Sequence, residues 1–251
     1  MATSRSAFLE AWSNRAGFWT QVVTMIVNDV AWVAFWALFF ERVGTVRGWD
    51  TERVLLLLAI LTTAGGIVLG FLANARAIGR MAANGELDAV LALPVHPLTH
   101  LLLRRINTTN LGDIAFGVVL FAVTGHPTIE RTAIFAVGVI ASAALLTGFL
   151  VATGSLSFFA GRDDAGELSF HAILMFAAYP VDVFGGAAKL LLSTVLPAAF
   201  VATVPARLID DFDPVLAAAL LGMAVLFVAV GSLAFRAGLS RYTSGSVWTS
   251  G

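Results

Sequence analysis

The sequence predicts an all-α polytopic membrane protein: six transmembrane helices, an N-terminal interfacial helix and a broken fifth segment. Composition is the first reason. Apolar residues make up 59% and charged residues 12% of the 251 positions, and the mean hydropathy is +0.88, well outside the range of soluble domains. The second is that charge-free runs of spanning length recur, from Val54 to Ala75 and from Thr132 to Gly161. The third is a polar island, Ala75 to Asn107, bracketed by Arg76, Arg80, Arg104 and Arg105, as expected of a loop on the cytoplasmic side. At about 20 residues per crossing, the chain is one transmembrane domain over residues 1–251, with no separate soluble catalytic domain.

The elements follow in order. In residues 1–19, Phe8, Leu9, Trp12, Ala16 and Trp19 share one helical face, which predicts a helix lying in the membrane interface; the plainer alternative is a flanking segment with aromatic anchors. No apolar core follows Arg5 directly, so a cleavable signal is not expected. The first span runs from about Thr20 to Phe40 with Asp29 as its only charge, the second from Val54 to Asn74, and the third from Thr108 to Val123 with Asp113 near its start. The fourth lies within Thr132 to Gly161, long enough to tilt. The sixth, Pro214 to Phe235, opens on a proline whose missing N–H costs nothing there.

Between the fourth and sixth spans the apolar pattern is interrupted. Tyr179-Pro180, Asp182, Gly185-Gly186, Lys189, Pro197 and Pro205 punctuate residues 168–213, and prolines inside an apolar stretch stop or kink helices. This discontinuous segment and its external loop admit two drawings. Either Leu168 to Tyr179 begins a crossing and the rest re-enters from outside, or an interfacial helix precedes a crossing near Ala187 to Val204.

The island reads as a short helix between two breaks. Asn84 can cap a helix starting at Gly85, with Glu86 and Asp88 in its positive first turn. Leu87, Val90 and Leu91 make an apolar stripe; Pro94 stops the helix and Pro97 prevents its resumption. A local reading, in which the acids cap and the leucines cover neighbouring helix ends, accounts for these residues but not for 33 residues of loop. A docking surface for a soluble partner accounts for both.

Charge sets the orientation. With both termini cytoplasmic, the inside holds nine basic residues (Arg5, Arg15, Arg76, Arg80, Arg104, Arg105, Arg162, Arg236, Arg241), against five outside (Arg42, Arg47, Arg53, Arg131, Arg207). Lys189 is the single lysine, the other fourteen of the fifteen basic residues being arginines, which fits a GC-rich bacterial genome.

Several functions are excluded or weakened. Cysteine is absent, so disulfides, thiolate metal sites and cysteine nucleophiles are out. A net charge of -1 argues against nucleic acid. No G-x-x-x-x-G-K-[ST] occurs, so the chain cannot cradle ATP by a P-loop. His96 and His100 flank Pro97 with no carboxylate beside them, so no metal site is expected. Ser155, Ser157 and Ser169 lack a paired base. Among intramembrane polar residues, Asn28 and Asp29 stand in mid-span, where a charge is costly and usually functional; a structural link between two spans is the alternative. Asp113 is expected as a helix-start or interfacial acid near Arg104 and Arg105 rather than as part of a ligand site. Lys189 and Asp182 share a face if one helix joins them. The Gly66-x-x-x-Gly70 pair permits close helix approach.

Gly85-Glu86-Leu87-Asp88, Leu91, Pro94, Pro97-Leu98, Arg104-Arg105 and Leu111-Gly112-Asp113 together closely resemble the integral-membrane subunits of ABC-2 type ABC transporters, in particular the six-span bacterial permeases. The stretches Tyr179-Pro180, Leu196-Pro197-Ala198-Ala199-Phe200 and Pro205-Ala206, and the tail Leu239 to Ser246, are similar to the same group, with Gly245 as a minor departure. The resemblance implies a non-enzymatic permease subunit of an exporter. It would pair with a second copy or paralogue among membrane lipids and would couple to separate ATPase subunits that bind ATP and Mg, the chain itself holding no cofactor. It assigns the ATPase contact to the island, at Glu86, Leu87, Asp88, Val90, Leu91 and Pro94. A self-contained secondary carrier is the alternative, weakened by the missing inverted repeat; a membrane scaffold for a soluble partner is another.

Overall fold

The computed structural model describes residues 15–160 and 164–242. The expected interfacial helix over 1–19 falls almost wholly outside them, as do Arg162 and the tail from Thr243. Within the described residues the regular structure is helical, apart from one isolated β-bridge between Val46 and Trp49.

Six passages join two ends of a bundle. Helix α1 (Arg15–Val43) leads to a tight turn at 44–50, where Gly44 and Gly48 adopt φ +75° and +81°, and α2 (Thr51–Phe71) returns. The polar island carries three short helices: α3 (Ile78–Ala83), α4 (Leu87–Leu91) and α5 (Pro97–Leu103). Then come α6 (Leu111–Thr124), α7 (Ile129–Ser155) with the short α8 (Ser157–Ala160), α9 (Ala165–Ala177), α10 (Gly186–Thr194), α11 (Val204–Asp210) and α12 (Pro214–Leu239). The end carrying residues 72–107 is the loop end; the end carrying the 44–50 turn is the turn end.

The long helices α2, α7 and α12, which leave the turn end, start on side-chain caps. Asp50 accepts from the Arg53 amide (3.0 Å), Thr128 from Arg131 (3.1 Å), and Asp213 from Val215 and Leu216 (2.7 and 3.2 Å). Each satisfies amides that the first turn leaves unpaired. The centre of the bundle is α2 and α7, each with 72% of its apolar window buried, against 11% for α1 and 17% for α12. Alanine and glycine allow this closeness. Gly148 of α7 and Gly231 of α12 meet backbone to backbone, and a Cβ on Gly66 would lie 2.8 Å from the Ile114 amide of α6. The Gly66–Gly70 pair therefore seats α6 within the subunit.

The broken segment follows the first of its two drawings. Gly166, near the start of α9, packs on the Arg76 backbone at the loop end, while Asp182, just past Tyr179-Pro180, bonds to Trp49 at the turn end. Thus α9 is the fifth passage, about 20 Å long at 1.5 Å per residue. The next stretch leaves and returns to the same end: Lys189 and Arg207 both pair with Asp182, and Asp210 pairs with Arg53 and Arg131. Helices α10 and the 199–210 segment meet at a 70° bend around Pro197, with a π-turn at Ala199–Thr203 before Pro205. Proline removes a helical hydrogen bond, and the wider turn absorbs the mismatch. No continuous helix joins Lys189 and Asp182; the chain bends at Gly185-Gly186, with Gly186 at φ +55°, and still brings them to 2.9 Å.

The island folds differently from its sequence pattern. Asn84 does not cap α4; it ends α3. Gly85 takes φ +72°, its amide donates to Ala82 and that of Glu86 to Met81 (3.2 and 2.9 Å), the Schellman closure of a helix C-terminus. Consequently α4 starts at Leu87 rather than Gly85 and ends at Leu91. Pro97 does not merely block helix resumption. It occupies the first turn of α5, with the His96 ring accepting from the Thr99 amide, the position where a proline lacks nothing.

Candidate functional site

Three polar constellations matter, and the first is a half-open cavity of about 760 Å³ lined by α1, α2, α6 and α9. Its apolar wall comes from Met25, Trp32, Leu58, Leu61 and Phe116; its polar wall from Thr24, Asp29, Thr62, Asn110 and Asp113. Gly65 leaves room on α2, with open space where a Cβ would stand. Threonine hydroxyls there bond back to their own helix, as Thr24 to Thr20 (2.8 Å) and Thr62 to Leu58 (2.9 Å), so a polar side chain stands in an apolar wall without an orphaned donor. Thr109 reaches across to Gln21 (3.0 Å) and ties α1 to the start of the third passage.

Asp29 is 6% exposed. Among the described residues its Oδ1 accepts only a 3.5 Å bond from neighbouring Asn28, and its Oδ2 has no hydrogen-bond partner. Asp113 lines the same cavity and accepts from Asn110 at 3.2 Å. Among the described residues neither acid forms an ion pair with Arg104, Arg105 or any other cation. Asp113 thus faces the bundle interior rather than the arginines, because it stands in the first turn of α6 where that helix meets Gly66 of α2. The sequence singled out Asn28, Asp29 and Asp113 separately and did not join them. The polar stripe Thr20, Thr24, Asn28 at four-residue spacing was the legible signal for a polar face on α1.

The second constellation is the island. Its base is held firmly. Buried Asn74 donates to the Leu101 carbonyl (2.7 Å), Arg76 pairs with Glu167 (3.1 Å), and its guanidinium lies over the Phe170 ring (5.1 Å). Asp88 approaches Tyr242 beyond the end of α12; burial and that carboxylate push the phenol's pKa up to about 12. Leu87 and Val90 are each 1% exposed and join the bundle core, whereas Leu91, Leu93 and Val95 are exposed. The expected stripe of Leu87, Val90 and Leu91 is therefore split between two sides. Glu86 sits at the N-cap position without a side-chain cap bond. Pro94 lies in an exposed stretch running from Leu91 to His96.

The third is a clasp at the turn end. Asp182, 7% exposed, takes Lys189 on Oδ1 (2.9 Å), the Trp49 indole N–H on Oδ2 (3.0 Å) and the Arg207 guanidinium. Arg47 donates to its carbonyl at 2.7 Å and Arg207 lies over the Trp49 ring at 5.8 Å. Burial alone would raise this carboxyl's pKa, but the Lys189, Trp49 and Arg207 contacts hold it below the usual carboxylate range.

A helical bundle of apolar passages, with a polar, acid-lined cavity on it and a stapled loop at one end, is the architecture of a polytopic membrane protein. The family model described as ABC-2 family transporter protein matches residues 26–246. The chain belongs to that family and is an ABC-2 type permease. No curated protein and no solved structure matches the chain.

Proposed function

We propose that this chain is the permease subunit of an ATP-driven exporter in a bacterial plasma membrane, with both termini cytoplasmic and separate ATPase subunits, carrying ATP and Mg, docked on the loop end. The observation that carries this reading is the exposed run Leu91 to His96. Six consecutive exposed residues, four of them Leu, Leu, Pro and Val, project from a loop that is otherwise stapled to α9 and the end of α12. An apolar turn on a rigid base can transmit a push, which a floppy loop could not. The family supports an ATPase partner in general. The weakly buried faces of α1 and α12 leave apolar surface for lipid and for a second copy or paralogue.

The test separates docking from folding. Each such side chain, once buried, contributes roughly 1.5–3 kcal/mol, so Leu91→Ala with Leu93→Ala should weaken ATPase attachment about a hundredfold or more while leaving the bundle intact. Leu87→Ala should instead lower the stability of the permease itself, by about 2–5 kcal/mol, through a cavity in its core. Retention of the ATPase and full transport by the Leu91/Leu93 double variant overturns the docking assignment. Orientation is checked by single cysteines: those at Ala83 and Thr99 should resist an impermeant thiol reagent in intact cells, and those at Gly48 and Phe212 should react.

A further inference from the structure

Resting on the permease reading, we propose that the cavity between α1, α2, α6 and α9 is a cargo site for hydrophobic amines, in which Asp29 receives the ammonium group. A buried carboxylate oxygen with no partner is costly. Here the cost is compounded by a second carboxylate, Asp113, on the same cavity, with no compensating cation among the described residues. Only a ligand carrying positive charge and hydrogen-bond donors removes both penalties. An anion would add a third repulsive charge, and a neutral apolar molecule would leave Oδ2 as it is. A proton alone would neutralise Asp29 but needs none of the room.

The volume of about 760 Å³ falls within the range of sites that enclose a small organic molecule. Its walls are divided as an amphipathic amine requires. Met25, Leu58, Leu61 and Phe116 take the hydrocarbon, and Trp32 offers an aromatic face near the acid. The Trp32 ring is itself held edge-on against Tyr179 at 5.7 Å, so the aromatic wall is set by the start of the broken segment. Asp113 lies toward the loop end, which gives the ammonium a second acidic contact along the path between cavity and loop. A free amine and the amino headgroup of phosphatidylethanolamine share this chemistry.

The experiment uses the full chain with its ATPase in nanodiscs of phosphatidylcholine only. The probe is N-dansyl-1,8-diaminooctane, and the corresponding dansyl amino-alcohol, which lacks the charge, is the comparator. Wild type should bind the amine at least about tenfold more tightly than the alcohol. Asp29→Asn should abolish that preference while alcohol binding persists, Asp113→Asn should reduce it, and Asp29→Glu should retain it. Competition when phosphatidylethanolamine is added to the disc assigns the site to a lipid headgroup; undiminished amine binding assigns it to free amines. Equal binding of amine and alcohol by wild type, or a preference that survives in Asp29→Asn or vanishes in Asp29→Glu, overturns the inference. That failure would occur with the ATPase still attached. Failure of the permease reading shows instead as an ATPase that never co-purifies, whatever the amine does.

Discussion

Asp182 and Asp29 are buried almost equally, at 7% and 6% exposure, yet the chain treats them in opposite ways. Asp182 is surrounded by Lys189, Arg207 and the Trp49 indole, with each oxygen satisfied. Asp29 faces another acid and keeps one oxygen without a partner. Burial is therefore not what separates these two carboxylates; their partners are. The Asp182 clasp closes a re-entrant stretch onto the turn end, where a loose backbone would expose unpaired amides and carbonyls. The Asp29 cavity shows no such closure among the described residues, and the proposed cargo site rests on that difference.

Substitutions should bring out this contrast, the strongest first. Asp182→Ala leaves Lys189, Arg207 and the Trp49 N–H facing one another without their acceptor. Breaking a buried ion cluster costs several kcal/mol when every member is buried, but the Lys189 and Arg207 side chains are 52% and 44% exposed. The expected loss is therefore about 2–3 kcal/mol, read as a lower unfolding midpoint in detergent and as earlier proteolysis within residues 183–207. An unchanged midpoint would show that the clasp is ornamental to stability.

Acid should act on the same cluster. The folded pKa of Asp182 lies below its unfolded value of 3.8, so its contribution is complete above about pH 4 and is lost as pH falls through the lower folded value. Thermal midpoints of wild type should thus drop on acidification below pH 4, and Asp182→Asn should flatten that part of the profile. A profile identical in the variant would place the acid sensitivity elsewhere.

Asp29→Asn should have the opposite sign. Removing an unpaired buried charge while keeping its shape is expected to leave the amine-free protein as stable as before or more stable by up to about 1 kcal/mol. A marked destabilisation would mean that Asp29 has a structural partner after all, and the contrast with Asp182 would collapse. The smallest effects belong to the outer edge of the clasp. Arg53→Ala removes a 43% exposed partner of Asp210 and should cost about 0.5 kcal/mol or less. Arg131, with 24% exposure and a 2.8 Å bond to the same carboxylate, should cost more when truncated. Comparing their midpoints checks that burial scales the worth of an ion pair within one cluster.

Much of this protein was already determined by the order of its residues. The four long passages, the sixth-span proline start, the polar island and the break after Tyr179 follow from runs of apolar residues and from proline, because a membrane passage must satisfy its own backbone and tolerates few charges. Local rules pointed to Asn84 as the start of a helix at Gly85, but Asn-Gly before two acids can also close a helix, and the amide bonds back to Ala82 and Met81 chose closure. The rest needed the third dimension. Which of two drawings the 168–213 segment takes depends on Asp182 finding Trp49 and Arg207, and no periodicity in the segment encodes a contact with the 44–50 turn. The stripe of Leu87, Val90 and Leu91 was visible, but a five-residue helix turns its residues toward different neighbours, and only packing against the bundle shows that Leu87 and Val90 are buried while Leu91 is free. Asp29 and Asp113 each drew notice as a lone acid in an apolar run. That they share one cavity was decided by α6 settling on Gly66 of α2 beside α1, since electrostatic pairing depends on distance in space and hydrophobic pattern carries no record of it.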